Sequence, residues 1–545
     1  MIGRRALLGG AAATASIVLR RTVARAQDDA PVMDAPCGAL RGLHLPGNGG
    51  VHAFLGVPYA APPVGGLRYA SPRPAGRWDG VRDATKPGAA SIQTLTGAAA
   101  WLYEGAEPQS EDCLFLNVWT PSPAGRRPVM VWLHGGAWRT GRGDAAGTDG
   151  AALAALGDVI VVTLNYRLGA LGWLAHPALR DPDTGAFANW GLQDQVAALR
   201  WVQDNIAAFG GDPARVTLFG QSAGGSSTAS IAQDPRHAGL LHRAIIESGS
   251  LHGAPGLPEV ATAAAYAEVL ARNLSVTVPG LREVPAPALH RAELALARDP
   301  AMARRLGRPP VLPVLDGVVL RVWPRDGTLA PVPLLIGTNR GEAVFWYDLV
   351  SPDGTHVPGL TPPADRAQLV SMIRDLVAIY RPEAASVSPE SIADAYASAA
   401  HGRGEPGGVL PVWLAAYTDI VFRLRARACA ERHAAAGRPV FLYEFAHPLA
   451  PPAHGVPHTA EIPFVFGTYA NPFFADKVGA GPAEAALSGA VMQAWARFAH
   501  EGTPGEGWAR AEAEAPAINV VGGPRGVLTV EPRLRAEELA AWGVA

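Results

Sequence analysis

The stretch Phe219-Gly220-Gln221-Ser222-Ala223-Gly224-Gly225, entered directly from the apolar run Val216-Thr217-Leu218-Phe219, decides the fold. A β-prone strand that runs into Gly-x-Ser-x-Gly must turn too sharply for larger flanking side chains, and the turn lifts the serine hydroxyl clear of the sheet edge. That arrangement is a nucleophile elbow, with Ser222 as the candidate nucleophile. In a chain with 62 glycines the pentapeptide alone has little weight, so its surroundings matter.

Upstream, the hydrophobic strand Val129-Met130-Val131-Trp132-Leu133 ends in His134-Gly135-Gly136-Ala137-Trp138, a glycine-rich loop of the kind that presents backbone N–H groups to an oxyanion. Downstream, Pro333-Leu334-Leu335-Ile336-Gly337-Thr338-Asn339 opens into a loop carrying Glu342, and His458 sits in a Pro/His/Gly-rich loop before Ile462-Pro463-Phe464-Val465-Phe466. Serine, glutamate and histidine therefore follow one another in the chain order of α/β-hydrolases. Strands and helices alternate from Val118 to Ile246, as an α/β fold with a mostly parallel central sheet requires. Leu192 to Phe209 has helical periodicity without proline and is stopped by Gly210-Gly211-Asp212-Pro213. Residues 257–306 and 365–435 are further helical blocks, the second interrupted by His401-Gly402-Arg403-Gly404-Glu405-Pro406-Gly407-Gly408.

The 545 residues are 48% hydrophobic and 17% charged, enough apolar material for a large core. A formal net charge of −2 and the lack of a long basic run exclude a nucleic-acid footprint. At the N-terminus Arg4-Arg5 precedes an apolar segment from Ala6 to Leu19, too short to span a bilayer, and Ala24-Arg25-Ala26 offers a cleavage site. Residues 1–26 are expected to be a twin-arginine signal peptide, making the mature protein periplasmic or secreted with no stable membrane anchor. Cys37, Cys113 and Cys429 are an odd number for an exported chain, so at least one stays unpaired in the monomer.

Several further blocks carry a resemblance. They are Phe54-Leu55-Gly56-Val57-Pro58-Tyr59-Ala60 with Pro62-Pro63, Glu111-Asp112-Cys113-Leu114, Asn165-Tyr166-Arg167-Leu168-Gly169, Gly191-Leu192-Gln193-Asp194-Gln195, and Trp201-Val202-Gln203-Asp204-Asn205-Ile206 followed by Phe209-Gly210-Gly211-Asp212-Pro213. With the elbow, they make the chain resemble the type-B carboxylesterase/lipase family of cholinesterases, liver carboxylesterases and para-nitrobenzyl esterases, over nearly everything after the leader. The resemblance implies a single α/β-hydrolase domain over residues 27–545, with inserted helices near 257–306 and 365–435 walling the active site. It implies a secreted serine carboxylesterase acting on small-molecule esters without cofactor or metal, most simply as a monomer. The alternatives are a specialised hydrolase on the same machinery (mycotoxin ester, carbamate, aryl amide or polyester) and a non-catalytic adhesion relative.

By the same resemblance Ser222, Glu342 and His458 form the catalytic triad, and Gly136, Ala137 and Ala223 supply the oxyanion donors. His458 is preferred to His134, His447 and His454 because His458-Thr459-Ala460-Glu461-Ile462-Pro463-Phe464 resembles the family's catalytic histidine block. Glu342 is preferred to Asp316, Asp326 and Asp348 because it follows Gly337-Thr338-Asn339-Arg340. Ser248 and Gln221 are expected to support the triad, and Trp101, Trp138, Phe345 and Trp346 are candidate pocket residues. Arg68 with Glu111, and Arg167 with Asp194, are expected as structural ion pairs. Cys113 is expected as a buried thiol, with a Cys37–Cys113 disulfide left open. Three positions depart from the family pattern: Gly341-Glu342-Ala343 for Asp-Glu-Gly, Ala137 for a third glycine, and Gln221 for a glutamate before the nucleophile. The last removes a negative charge near any cationic substrate group, so choline esters are not expected.

Overall fold

Apolar runs bounded by turn residues pair into a sheet of eleven strands in the computed structural model, which describes residues 31–543 apart from 106–107, 251–257, 300–310, 323–328, 383–386, 515 and 533. The expected signal peptide and Asp326 lie outside the described residues. In chain order the strands are β1 (Leu43–Leu45), β2 (Val51–Pro58), β3 (Phe115–Thr120), β4 (Arg127–Leu133), β5 (Ile160–Leu164), β6 (Gly211–Gln221), β7 (Arg243–Glu247), β8 (Leu334–Asn339), β9 (Val440–Phe445), β10 (Ile518–Gly523) and β11 (Gly526–Glu531). In space they lie β11-β10-β9-β8-β7-β6-β4-β5-β3-β2-β1. From β5 to β10 neighbouring strands run parallel, and antiparallel strands flank both edges. This is the expected α/β-hydrolase architecture.

The central strands β4, β5, β7, β8 and β9 are buried almost without interruption, because helices cover both faces of a parallel sheet. The helix expected from Leu192 to Phe209 is α-helical over Trp190–Asn205 and closes as a 3₁₀ turn over Ile206–Phe209, after which Gly210 takes φ +80°. The second helical block forms Arg366–Tyr380, Pro389–Gly402, Val409–Thr418 and Leu424–Ala435, with a π-helical turn over Asp419–Arg423. These helices have a core of their own, built on Leu369, Ile373, Ile392, Tyr396, Trp413 and the C-terminal Trp542.

Arg68 pairs with Glu111, its Nε 2.6 Å from Oε1, and Arg167 grips Asp194 at 2.7 and 2.8 Å, both as expected. All three cysteines are free thiols, Cys113 fully buried, so the Cys37–Cys113 disulfide does not form. Among the described residues no helix is long and apolar enough to cross a membrane.

The register places the carboxyl ends of the central strands side by side. Leu133 of β4 is level with Gly220 of β6, and Glu247 of β7 with both Gln221 of β6 and Gly337 of β8. Ligands of open α/β sheets bind beyond such ends.

Candidate active site

Ser222 sits between β6 and the helix Ala223–Ala232 with φ +57° and ψ −121°, a conformation that costs a non-glycine residue energy and persists only where neighbours enforce it. The neighbours do so: the Ser222 N–H donates to the carbonyl of Glu247 at 2.8 Å, and its carbonyl accepts from Ser226 N–H at 2.8 Å. The flanking glycines are demanded by packing. A Cβ on Gly224 would stand 1.9 Å from the carbonyl oxygen of Leu133, and one on Gly220 2.7 Å from the same atom, because the turn lies directly against β4.

The loop after β4 folds back on itself. The Gly136 carbonyl accepts the N–H groups of Arg139 and Thr140, both at 3.0 Å, and Gly136, Ala137 and Trp138 all have positive φ (107°, 54° and 59°). A Cβ on Gly136 would meet the Thr140 carbonyl oxygen at 2.1 Å. The N–H groups of Gly136 and Ala137 have no protein acceptor among the described residues, and that of Ala223 stands at the first position of a helix, where no intrahelical acceptor exists. His134, in the same loop, stacks on Tyr166 at 4.2 Å, and burial pushes its imidazole down to about 4, which fits a neutral structural role.

Glu342 follows β8 and is completely buried. Its Oε1 accepts from the Asn339 N–H at 2.7 Å, and its Oε2 lies 2.6 Å from His458 Nδ1. The backbone supports the same pairing, since the His458 N–H donates to the Glu342 carbonyl at 3.3 Å. An imidazole whose Nδ1–H donates to a carboxylate has Nε2 free to accept, the tautomer a general base needs. Rings enclose it on several sides: Trp346 at 4.9 Å, Phe422 at 5.1 Å and Phe345 at 5.7 Å between centroids. The competing histidines are committed elsewhere, His454 to Asp348 at 2.8 Å and His447 to Glu484 at 3.2 Å.

Ser222 Oγ makes no hydrogen bond to His458 in this structure. The side-chain amide nitrogen of Gln221 lies 3.2 Å from His458 Nε2 and 3.4 Å from its Nδ1, while the Gln221 side-chain oxygen is buried without a partner. Gln221 thus touches the histidine directly, a closer involvement than a supporting role alone implies. Ser248 has φ +48°, is 1% exposed and donates its N–H to the Gly337 carbonyl at 2.8 Å, but its hydroxyl is unpartnered.

Two further carboxyls lie beneath the site. Burial pushes Glu247 up to about 8 while the Trp495 indole N–H donates to it at 2.7 Å. Burial, and then the charges of Glu247 and Glu342, hold Glu461 well above the usual carboxylate range. Asn339 Nδ2 ties Glu461 Oε2 (2.5 Å) and the Pro457 carbonyl (2.8 Å) to the end of β8, fixing the loop that delivers His458.

Ser222, Gln221, His458, Gly136 and Ala137 line one cavity of about 500 Å³ whose far walls are Ala98, Ala99, Leu102, Phe345, Trp346 and Leu360. No Asp, Glu, Lys or Arg lines it among the described residues. Of the four expected pocket aromatics, Phe345 and Trp346 reach it. Trp138 does not: its indole turns back to donate to Ser227 Oγ at 3.1 Å and packs on Trp173 at 5.7 Å. Trp101 also stands behind the wall, its ring 6.4 Å from Phe345. Phe422 and Thr418, whose hydroxyl accepts the Ala343 N–H at 3.1 Å, were not legible, because both come from a helical block with no local signal.

A strained serine on a strand-to-helix turn, a buried histidine–carboxylate pair and converging free amides, all beyond the carboxyl ends of a mostly parallel sheet, define an α/β-hydrolase. The chain belongs to the carboxylesterase family, whose model matches residues 29–542. It is 36% identical over 465 residues to the para-nitrobenzyl esterase of Bacillus subtilis (strain 168), covering 84% of this chain and 87% of that one. It is 34% identical over 506 residues to human cocaine esterase (88% and 86% covered), and 34% identical over 507 residues to the fumonisin B1 esterase of Sphingopyxis macrogoltabida (89% and 86%). A solved thermophilic PNB esterase superposes with TM-score 0.75 at 33% identity, covering 94% of this chain and 99% of that chain. The protein is a carboxylic ester hydrolase.

Proposed function

We propose that the protein hydrolyses neutral carboxylic esters through an acyl-enzyme on Ser222, with His458 as general base and Glu342 as its orienting acid. The observation that carries this reading is the buried 2.6 Å contact between His458 Nδ1 and Glu342, on the wall of the cavity that Ser222 faces. Ser222 Oγ closes on Nε2 when substrate binds, in keeping with catalytic hydrogen bonds that tighten only in the substrate complex. Ser222 Oγ then attacks the ester carbonyl carbon as its proton passes to Nε2, and the carbonyl oxygen becomes an oxyanion facing the N–H groups of Gly136, Ala137 and Ala223. Each such donor is worth about 3 to 4 kcal/mol of barrier. Collapse breaks the C–O bond to the alcohol, which leaves with the proton from His458. Water repeats the sequence on the acyl-enzyme and restores the serine.

A cavity without charged walls among the described residues offers no ion-pair partner to a polyanionic ester, which supports neutral substrates. Residues 1–26 would export the enzyme, and the mature chain would act as a monomer in the periplasm or outside the cell. Rapid mixing with a para-nitrophenyl ester tests the core of the proposal: a burst of one nitrophenolate per site in the wild type, and none in Ser222→Ala. A burst of equal size in the variant would refute it.

A further inference from the structure

Part of the cavity wall is a short helix, Ala98–Leu102, of which Ala98, Ala99 and Leu102 line the substrate space. Five residues cannot hold a helix by their own hydrogen bonds. Its N-terminus rests on Gly97, at φ +54°, without a side-chain cap. Its C-terminal turn is tied elsewhere: Lys477, on the helix Pro472–Val478, donates from Nζ to the Trp101 carbonyl at 2.7 Å. Lys477 is 8% exposed, and its ammonium lies among ring faces, 3.3 Å from the Phe473 centroid, 5.1 Å from Trp101 and 5.4 Å from Phe474. Among the described residues no carboxylate pairs with it at salt-bridge distance. Only Lys86 and Lys477 are lysines among 46 basic residues, so a chain that otherwise uses arginine places a lysine where a single compact donor must fit between rings.

We propose that Lys477 is a positioning residue for ester binding, holding the Ala98–Leu102 wall against the cavity through the Trp101 carbonyl. The link is continuous with the site, since the Trp101 ring meets Phe345 edge-on at 6.4 Å and Phe345 meets His458 at 5.7 Å. Lys477 itself touches no reacting atom, and the wall it holds lines the substrate space, so KM is expected to respond to its loss more than kcat. The proposal rests on the assignment of this cavity as the ester site.

The cation also makes the link sensitive to pH. Burial pushes Lys477 down to about 8, and Glu104, exposed on the segment after the wall helix, partly opposes that shift. Among the described residues Glu104 is the charged group that acts on the ammonium; the other neighbours there are the rings and the backbone. Loss of the proton removes the attraction to three ring faces and leaves a weaker neutral donor. KM for a para-nitrophenyl ester is therefore expected to be flat up to about pH 8 and to rise about fivefold above it, with no matching inflection in kcat. In Lys477→Met, KM is raised about fivefold at every pH and the inflection disappears, while the burst amplitude stays at one per site. In Glu104→Gln the inflection moves to lower pH, a shift that a merely structural lysine would not produce and one that remains measurable if the methionine variant fails to fold. A Lys477→Met enzyme with wild-type KM and an unchanged pH profile, or a Glu104→Gln enzyme with an unmoved inflection, would overturn the proposal. Wild-type turnover of the para-nitrophenyl ester by Ser222→Ala would instead overturn the assignment of the site.

Discussion

The half of the site carried on strand ends and the half carried by inserted segments are held in different ways. Ser222, the Gly135–Ala137 loop and Glu342 each leave a central strand within a few residues of its last ladder bond, and backbone atoms of neighbouring strands fix them. Gly224 touches Leu133 backbone so closely that no side chain fits, and Glu342 receives the backbone N–H of Asn339. The inserted half is held by side chains. Phe422 reaches His458 from a π-helical turn and Thr418 accepts from Ala343 N–H, and outside the inserted blocks Lys477 secures the short wall helix in the same manner. π-Helical turns recur at functional sites, and this one sits in a buried ion network of Asp419, Arg423, Glu444 and Arg535. The contrast teaches that the chemistry is built into the rigid sheet, whereas the shape of the substrate space depends on replaceable contacts.

The contrast can be broken most severely at Gly224. Gly224→Ala drives a methyl into the Leu133 carbonyl, where only backbone could yield, and should cost about 3 kcal/mol or more of stability along with the serine's placement. Gly402→Ala, at the end of an inserted helix with nothing within 4 Å of the new methyl, should be neutral or mildly stabilising. Urea titrations of the two variants check the pair; equal losses would show that the halves are not differently held.

A smaller effect is expected where the halves meet, at Gln221. Gln221→Glu brings a carboxylate to within about 3 Å of His458 Nε2, which favours the imidazolium. A general base must be neutral, so a raised pKa moves the acidic limb of kcat/KM to higher pH, by about one unit. A profile that stays in place or moves the other way would mean that the Gln221 side chain does not face the histidine in the working enzyme.

Legibility in the sequence follows the same division. Strand ends leave a local imprint, since a tight turn demands glycine at fixed offsets and a parallel strand demands an apolar run. The elbow, the loop after β4 and the helix from Trp190 could therefore be placed from sequence patterns. The interruption at 401–408 was also visible, because glycine and proline end the helix at Gly402. Ring positions were not. Trp138 follows the oxyanion loop and invites assignment to the pocket, yet its side chain turns toward Ser227. Lys477 and Phe422 act across sequence distances far beyond any helical or strand period, so no window of sequence could connect them to the site. The contact of Gln221 with His458 likewise arises from tertiary packing, although its departure from the family's glutamate marked the position in advance.

The most direct test of the central claim is covalent. Incubation with diethyl para-nitrophenyl phosphate followed by peptide mass mapping should place a single diethylphosphoryl group on Ser222, with activity lost in proportion, and should leave Ser222→Ala unlabelled. Labelling at another residue with loss of activity, or wild-type turnover of para-nitrophenyl esters by Ser222→Ala, would contradict the account.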